Sequence, residues 1–203
     1  TDRGDTLAEI PDELTGQILL RGVNGRRRET QMLSVFHLTP YPASSTPDHV
    51  FLTWSEDPQT TQTIQWRTST EVNKGVIAYQ KKADYNRFSP GEPILAHAVT
   101  SRIETPFNGN DPAMHRHTGV LRDLVPDATY VYAVGPTPEG PFSELREFTT
   151  APASARPFSF VYMGDVQNGL ERWGSLIRKA FRERPDAAFY VLAGDLVNRG
   201  NER

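Results

Sequence analysis

Two dipeptides in this sequence combine residue types and placement that could do chemistry: Gly164-Asp165 and Gly194-Asp195. Each follows an apolar run, so each carboxylate stands where a buried strand would end. Two carboxylates brought close together repel unless something positive sits between them. A divalent metal ion, or a pair of ions sharing one carboxylate, meets that need. Hard oxygen donors suit Mn, Mg or Fe, and Zn once imidazoles join them. A single Gly-Asp often ends a strand as a plain turn or a helix N-cap. Two copies at equivalent ends of adjacent strands favour the metal. The glycine of each pair is expected to let the chain turn sharply off its strand and to keep space clear beside the carboxylate. The histidines are weaker candidates: His115 and His117 would share one face of one strand, His97 falls in the same strand-rich region, and all three read as strand sequence. His37 and His49 stand alone.

The elements that must position the two aspartates follow from periodicity. Phe158–Met163 (FSFVYM) and Ala187–Ala193 (AAFYVLA) are near-continuous apolar runs, as strands buried on both faces would be. Between them, Leu170, Trp173, Leu176, Ile177, Ala180 and Phe181 fall on one helical face, and Pro185 ends the pattern. Strand, helix, strand makes a βαβ unit with parallel strands and a right-handed crossover. Both aspartates then emerge at the carboxyl edge of the sheet, where open α/β sheets hold ligands. The turn Gly164-Asp165-Val166-Gln167-Asn168-Gly169 carries neither a glycine-rich dinucleotide fingerprint nor a P-loop lysine, which excludes those nucleotide sites.

The preceding hundred residues obey a different period. Short candidate strands recur at Phe51–Trp54, Thr63–Arg67, Gly75–Tyr79, Ile94–Val99, His115–Leu121, Thr129–Val134 and Leu145–Thr149, with Thr63–Arg67 alternating as a half-buried strand should. Seven such strands predict a β-sandwich with Greek-key connections. Tyr130 opens a strand just after the corner Leu124-Val125-Pro126-Asp127, where a tyrosine hydroxyl can bond backbone a few residues upstream. With Trp66 on an early strand, this stretch resembles a fibronectin type III domain. Residues 1–45 read as an extension and linker, with a short strand expected over Gln31–Leu38, no clean period over Ile10–Leu20, and Arg26-Arg27-Arg28 as a solvated loop. Residues 40–47 and 151–157 read as linkers rich in Pro, Ser and Ala.

Composition bounds the function classes. The chain has 203 residues, no cysteine, 22 Lys and Arg against 25 Asp and Glu, and a net charge of −3. That balance offers no electrostatic footprint for nucleic acid. Without cysteine there is neither a disulfide nor thiolate-bound zinc. Mean hydropathy is −0.53, and no segment approaches the roughly 20 apolar residues of a membrane span.

The order Gly-Asp, spacer, Gly-Asp, to be followed by Gly-Asn-His and an acid, resembles the calcineurin-like metallophosphoesterases. A sandwich with a Leu-x-Pro-x-x-x-Tyr corner, then Phe148-Thr149-Thr150-Ala151-Pro152 and a Gly-Asp strand, is similar to the purple acid phosphatases in particular. The likeness runs over about residues 46–200. It implies a multidomain chain: a fibronectin type III-like all-β sandwich at 46–150, a linker at 151–157, and at 158–203 the first βαβ unit of an α/β metallophosphoesterase domain, incomplete in this sequence. It further implies hydrolysis of phosphate-ester substrates at a dinuclear centre of divalent or mixed-valence ions (Fe, Zn, Mn or Mg). Asp165 would ligate one metal and Asp195 would bridge both. Where the wider superfamily has a histidine, two residues after the first aspartate, this chain has Gln167, whose amide oxygen would serve as ligand. Its competing role is a loop amide capping the following helix. Where purple enzymes have a metal-bound tyrosine, this chain has Asn198, so no tyrosinate colour is expected. No residue is assigned as catalytic. Two or three ligands are too few for a dinuclear centre, so the chain alone is expected to bind metal weakly without turnover. Enzymes with this sandwich are exported, which implies a secreted or periplasmic location. The rival reading is a non-catalytic binding or adhesion module with a vestigial α/β segment.

Overall fold

The computed structural model describes residues 17–23, 30–106 and 108–196, and it divides into two compact units at Ala151–Pro152. Asn198, the Arg26–Arg28 run and the side chain of Leu170 lie outside the described residues.

β1 (Gln17–Val23) and β2 (Thr30–His37) form an antiparallel hairpin, with a register shift between Leu19 and Arg21. β2 falls where a strand was expected. β1 was not anticipated, because Gln-Ile-Leu-Leu-Arg-Gly-Val does not alternate.

The sandwich is built from β3 (Asp48–Thr53), β4 (Gln62–Thr68), β5 (Gly75–Lys81), β6 (Ile94–Glu104), β7 (Ala113–Leu121), β8 (Thr129–Gly135) and β9 (Arg146–Thr149). Their hydrogen-bonded order is β3-β4-β7-β6-β5-β8-β9, antiparallel throughout. β6 is the long strand. Its first half, from Ile94 to Ala98, pairs with β5, and its second half, from Val99 to Glu104, pairs with β7. One strand therefore carries the ladder from one layer to the other. The core lies between the layers and gathers Ile64, Trp66, Ile77, Leu121, Tyr130, Tyr132, Val134 and Phe148.

Two close approaches fix the layers. A Cβ on Gly75 would lie 2.6 Å from Trp66 Cζ2 and 2.9 Å from His117 Nδ1, so only glycine fits there. His117 is fully buried and stacks on Trp66 at 5.1 Å. Its ring nitrogens meet Thr68 Oγ1 at 2.7 Å and Thr100 Oγ1 at 2.9 Å. A neutral imidazole offers one donor and one acceptor nitrogen, and the two threonine hydroxyls satisfy both. Burial, reinforced by neighbouring His115, pushes the His117 pKa down to about 4.

β4 is buried on both faces, not one. Arg67, on the face away from the core, is covered because its guanidinium pairs with Asp48, lies 3.8 Å from Asp111 and donates to the Tyr41 carbonyl. The same contacts tie down residues 39–46, which are not a free linker. Thr39 and Asn110 exchange two hydrogen bonds, Ala43 N–H donates to Asp111, and Ser69 N–H donates to the Ser44 carbonyl. At the opposite corner Val125 N–H donates to Tyr130 Oη at 2.9 Å, the tyrosine contact expected there.

The second unit comprises β10 (Val161–Met163), α1 (Leu170–Glu183) and β11 (Tyr190–Leu192), with β10 and β11 parallel. The formal strands are shorter than the apolar runs. Backbone bonds continue beyond them, from Ala188 N–H to Ser159 C=O and from Ala193 N–H to Met163 C=O. α1 half-buries Trp173, Ile177 and Ala180 but leaves Leu176 and Phe181 exposed. On the sheet, Phe158, Phe160 and Tyr162 stand exposed, with the Phe158 and Phe160 rings clustered around Phe189.

Candidate metal site at the carboxyl edge of β10 and β11

The two Gly-Asp pairs leave adjacent parallel strands at the same edge, and backbone hydrogen bonds join the segments that follow. Asp165 N–H donates to the Gly194 carbonyl at 3.3 Å, and the N–H groups of Val166 and Gln167 both donate to the Asp195 carbonyl at 2.9 Å. Val166 is buried beneath this junction.

The turn itself is made differently from the sequence expectation. Asp165 has φ 54° and Asp195 φ 48°, so the aspartates occupy the left-handed region. Gly194 shares it at φ 91°, and a Cβ there would meet open space. Gly164 does not: a side chain on it would make an ordinary 3.5 Å contact with the Ala193 carbonyl. The turn role predicted for the glycines falls to Gly194 and not to Gly164, and the space-keeping role has support at neither, since a side chain would meet nothing closer than 3.5 Å at Gly164 and nothing at Gly194. Aspartate tolerates this conformation better than most residues, yet at a cost, and such backbone concentrates where a side chain must be aimed.

Gln167 is drawn to the same place. Its Nε2 donates to Asp195 Oδ2 at 3.0 Å. Its Oε1 is buried and has no hydrogen-bond donor. Asp165 and Asp195 themselves are solvent-exposed. Carboxylates and an amide oxygen are hard oxygen donors, the chemistry that suits a divalent cation, and of these side chains only Gln167 and Asp195 are hydrogen-bonded to each other. Among the described residues no group of three or more His, Cys, Asp or Glu converges as a metal cage would. The histidines of the sandwich are committed elsewhere: His117 to its two threonines, and His115 through Nδ1–H to the Val72 carbonyl at 2.8 Å. The Gln167–Asp195 bond was not read from sequence, although a glutamine two residues beyond one strand end lies within reach of its neighbour.

Fold and sequence together define the class: an all-β sandwich domain followed by a β–α–β segment. The sequence pattern of the family "Purple acid Phosphatase, N-terminal domain" matches residues 47–150, half of the chain, and the chain belongs to that family. Among solved structures it is similar to the purple acid phosphatase PPD1 isolated from yellow lupin (Lupinus luteus) seeds, with a TM-score of 0.51 and 17% identity. That match covers 70% of this chain and 26% of the lupin chain, so the chain spans about a quarter of the lupin protein's length. The third fibronectin III domain of human KIAA0343 protein aligns with a TM-score of 0.35 and 19% identity, over 57% of this chain and 89% of that domain. No curated protein matches in sequence. No helix among the described residues is long and apolar enough to cross a membrane.

Proposed function

We propose that this chain is the amino-terminal part of a metal-dependent phosphoesterase, in which the sandwich is accessory and the β10–α1–β11 segment opens the catalytic α/β domain. The observation that carries this reading is the pair of left-handed aspartates, Asp165 and Asp195, at neighbouring parallel strand ends with Gln167 bonded to the second of them. Family membership supplies the reaction class, hydrolysis of a phosphate ester. Asp165, Asp195 and Gln167 would be this chain's contribution to holding the cations. When bound, the metal pair supplies Lewis-acid stabilisation of the phosphoryl oxygens and a water of lowered pKa. The chain's own residues fix the separation of the carboxylates, through the main-chain bonds that lock the Asp165 and Asp195 turns together. Asn198 stands where a metal-bound tyrosine would give colour, so the holoenzyme lacks a tyrosinate absorption band. The protein works outside the cytoplasm.

The test is hydrolysis of para-nitrophenyl phosphate by the full-length protein carrying Asp165→Asn or Asp195→Asn. Each loses activity by at least ~10³-fold if its carboxylate holds a catalytic metal. Native-level turnover in either variant overturns the reading. So does turnover by the 203-residue chain alone in metal-defined buffer, since the reading has this chain supply only part of the catalytic domain.

A further inference from the structure

Three Asn-Gly pairs occur in the sequence: Asn24-Gly25, Asn108-Gly109 and Asn168-Gly169. In such a pair the asparagine amide carbon and the next backbone nitrogen can close a five-membered ring, because glycine has no Cβ to crowd the approach. Asn24 lies outside the described residues, and the other two pairs sit in opposite surroundings. Asn108 is 1% exposed in the β6–β7 turn, where its N–H donates to the Thr105 carbonyl and its carbonyl accepts from Asp111 N–H. Its side-chain oxygen and nitrogen are buried without partners, so a charge formed there would be buried unpaired. Asn168 and Gly169 are exposed, in the turn between β10 and α1. The chain is held on both sides of this pair. Gln167 N–H donates to the Asp195 carbonyl at 2.9 Å, and the Gly169 carbonyl accepts from Trp173 N–H at 3.0 Å. Among the described residues nothing accepts from the Gly169 N–H, and a Cβ on Gly169 would meet only Arg172 Cβ, at 3.8 Å. The Gly169 nitrogen is therefore open to solvent base and to its neighbour's amide.

We infer that Asn168 is a self-modification site, deamidating through a cyclic imide with Gly169. The Gly169 backbone nitrogen bonds to Asn168 Cγ as the Cγ–Nδ2 bond breaks, and the proton lost from that nitrogen leaves with the departing ammonia. Water then adds to one of the two imide carbonyls and cleaves its bond to the Gly169 nitrogen. Cleavage at Cγ leaves aspartate, and cleavage at the main-chain carbon leaves isoaspartate. Nothing is oxidised or reduced, and solvent water is the one co-reactant. Either product adds a negative charge to a chain whose net charge is −3. The charge falls one residue ahead of Gly169, the α1 N-cap, which supplies no side-chain cap, and a helix N-terminus favours it. It also falls in the turn that leaves the strand end of the exposed Asp165. Residue 168 is thus a slow, one-way charge switch between β10 and α1, and no step of it involves a metal ion.

The experiment incubates the 203-residue chain in mildly alkaline buffer and maps it by peptide mass spectrometry, which reads the Asn-Gly pairs separately. The peptide holding Asn168 gains one mass unit and splits into two products, one of them a substrate for an isoaspartate-specific methyltransferase. Conversion at Asn168 outpaces that at Asn108 by at least about tenfold, the least that burying a charged intermediate adds to the barrier. In urea, where both pairs are exposed, the two rates converge. Asn168→Gln, whose longer side chain would need a six-membered ring, abolishes the mass gain in that peptide and leaves the unfolding midpoint in urea unchanged. Conversion at Asn168 no faster than at Asn108 in the folded chain overturns the inference. A mass gain without isoaspartate also overturns it, because the side-chain amide would then be hydrolysed directly. An undiminished gain at the same peptide in Asn168→Gln places the reaction on another residue. A rate difference that survives in urea removes the role given to the fold.

Discussion

Acidifying the solution should destabilise the sandwich through one residue, His117. Its ring is fully buried between Trp66, Thr68 and Thr100, with His115 as the nearest titratable neighbour. Its pKa falls from 6.5 to about 4 on folding. Because the folded value is the lower one, the unfolded chain takes up the proton first. The contribution to stability is complete above pH 6.5 and is lost as pH falls from 6.5 through about 4. A difference of this size corresponds to about 3 kcal/mol in full, and the part lost between roughly pH 7.5 and pH 5 is about 2 kcal/mol. That is a large share of the stability of a domain this small. The assay is urea unfolding at the two pH values for the native chain and for His117→Gln, which can still bond both threonines. The native chain should lose about 2 kcal/mol more than the variant across that range. Histidines away from this pocket contribute equally to both proteins and cancel, and His115→Gln in both backgrounds removes the one that does not. An equal pH dependence in the two proteins, or an NMR titration of His117 centred near 6.5, would refute the reasoning.

Four further substitutions test the packing. Gly75→Ala forces a methyl group against the rigid Trp66 and His117 rings and should cost about 1–3 kcal/mol in urea unfolding. Gly119→Ala meets only the flexible end of Ile77 and should cost clearly less; equal penalties would mean that the layers yield freely. Arg67→Met strips the buried guanidinium from Asp48 and Asp111 and should cost about 2–3 kcal/mol by the same measurement, the partial exposure of Asp48 holding it below a fully buried pair. A loss under about 0.5 kcal/mol would place Arg67 among surface pairs. Tyr130→Phe orphans the Val125 N–H at the corner and should cost about 1–2 kcal/mol, checked by the thermal midpoint.

The strands of the sandwich were legible because each presents a short apolar or alternating run between turn residues, and turn chemistry marks its ends. β1 was not, since Gln17–Val23 has no alternation to read. The double burial of β4 was hidden for another reason. Thr63 and Arg67 look like solvent-facing positions, and they meet partners outside the strand that its own pattern does not reveal: Arg67 meets Asp48 and Asp111, and Thr63 the Ser55 hydroxyl at 2.6 Å. At the strand ends, the two Gly-Asp pairs are plain in the sequence, and the parallel pairing that sets them at one edge follows from βαβ logic. Which residue makes the turn was not plain. Gly164 looked like the flexible position, whereas Asp165 takes the positive φ, a choice set by the Asp165–Gly194 and Val166–Asp195 backbone bonds. The orientation of the Gln167 amide likewise depends on a carboxylate 28 residues away.

The central claim is that the carboxyl edge of β10 and β11 holds a divalent cation. Paramagnetic broadening of backbone amide signals by Mn²⁺, added to the ¹⁵N-labelled chain at substoichiometric levels, tests it most directly. The account predicts broadening centred on Asp165, Val166, Gln167, Gly194 and Asp195, and its loss there in Asp195→Asn. Broadening that ignores this edge, or that persists there unchanged in Asp165→Asn and Asp195→Asn, would contradict it.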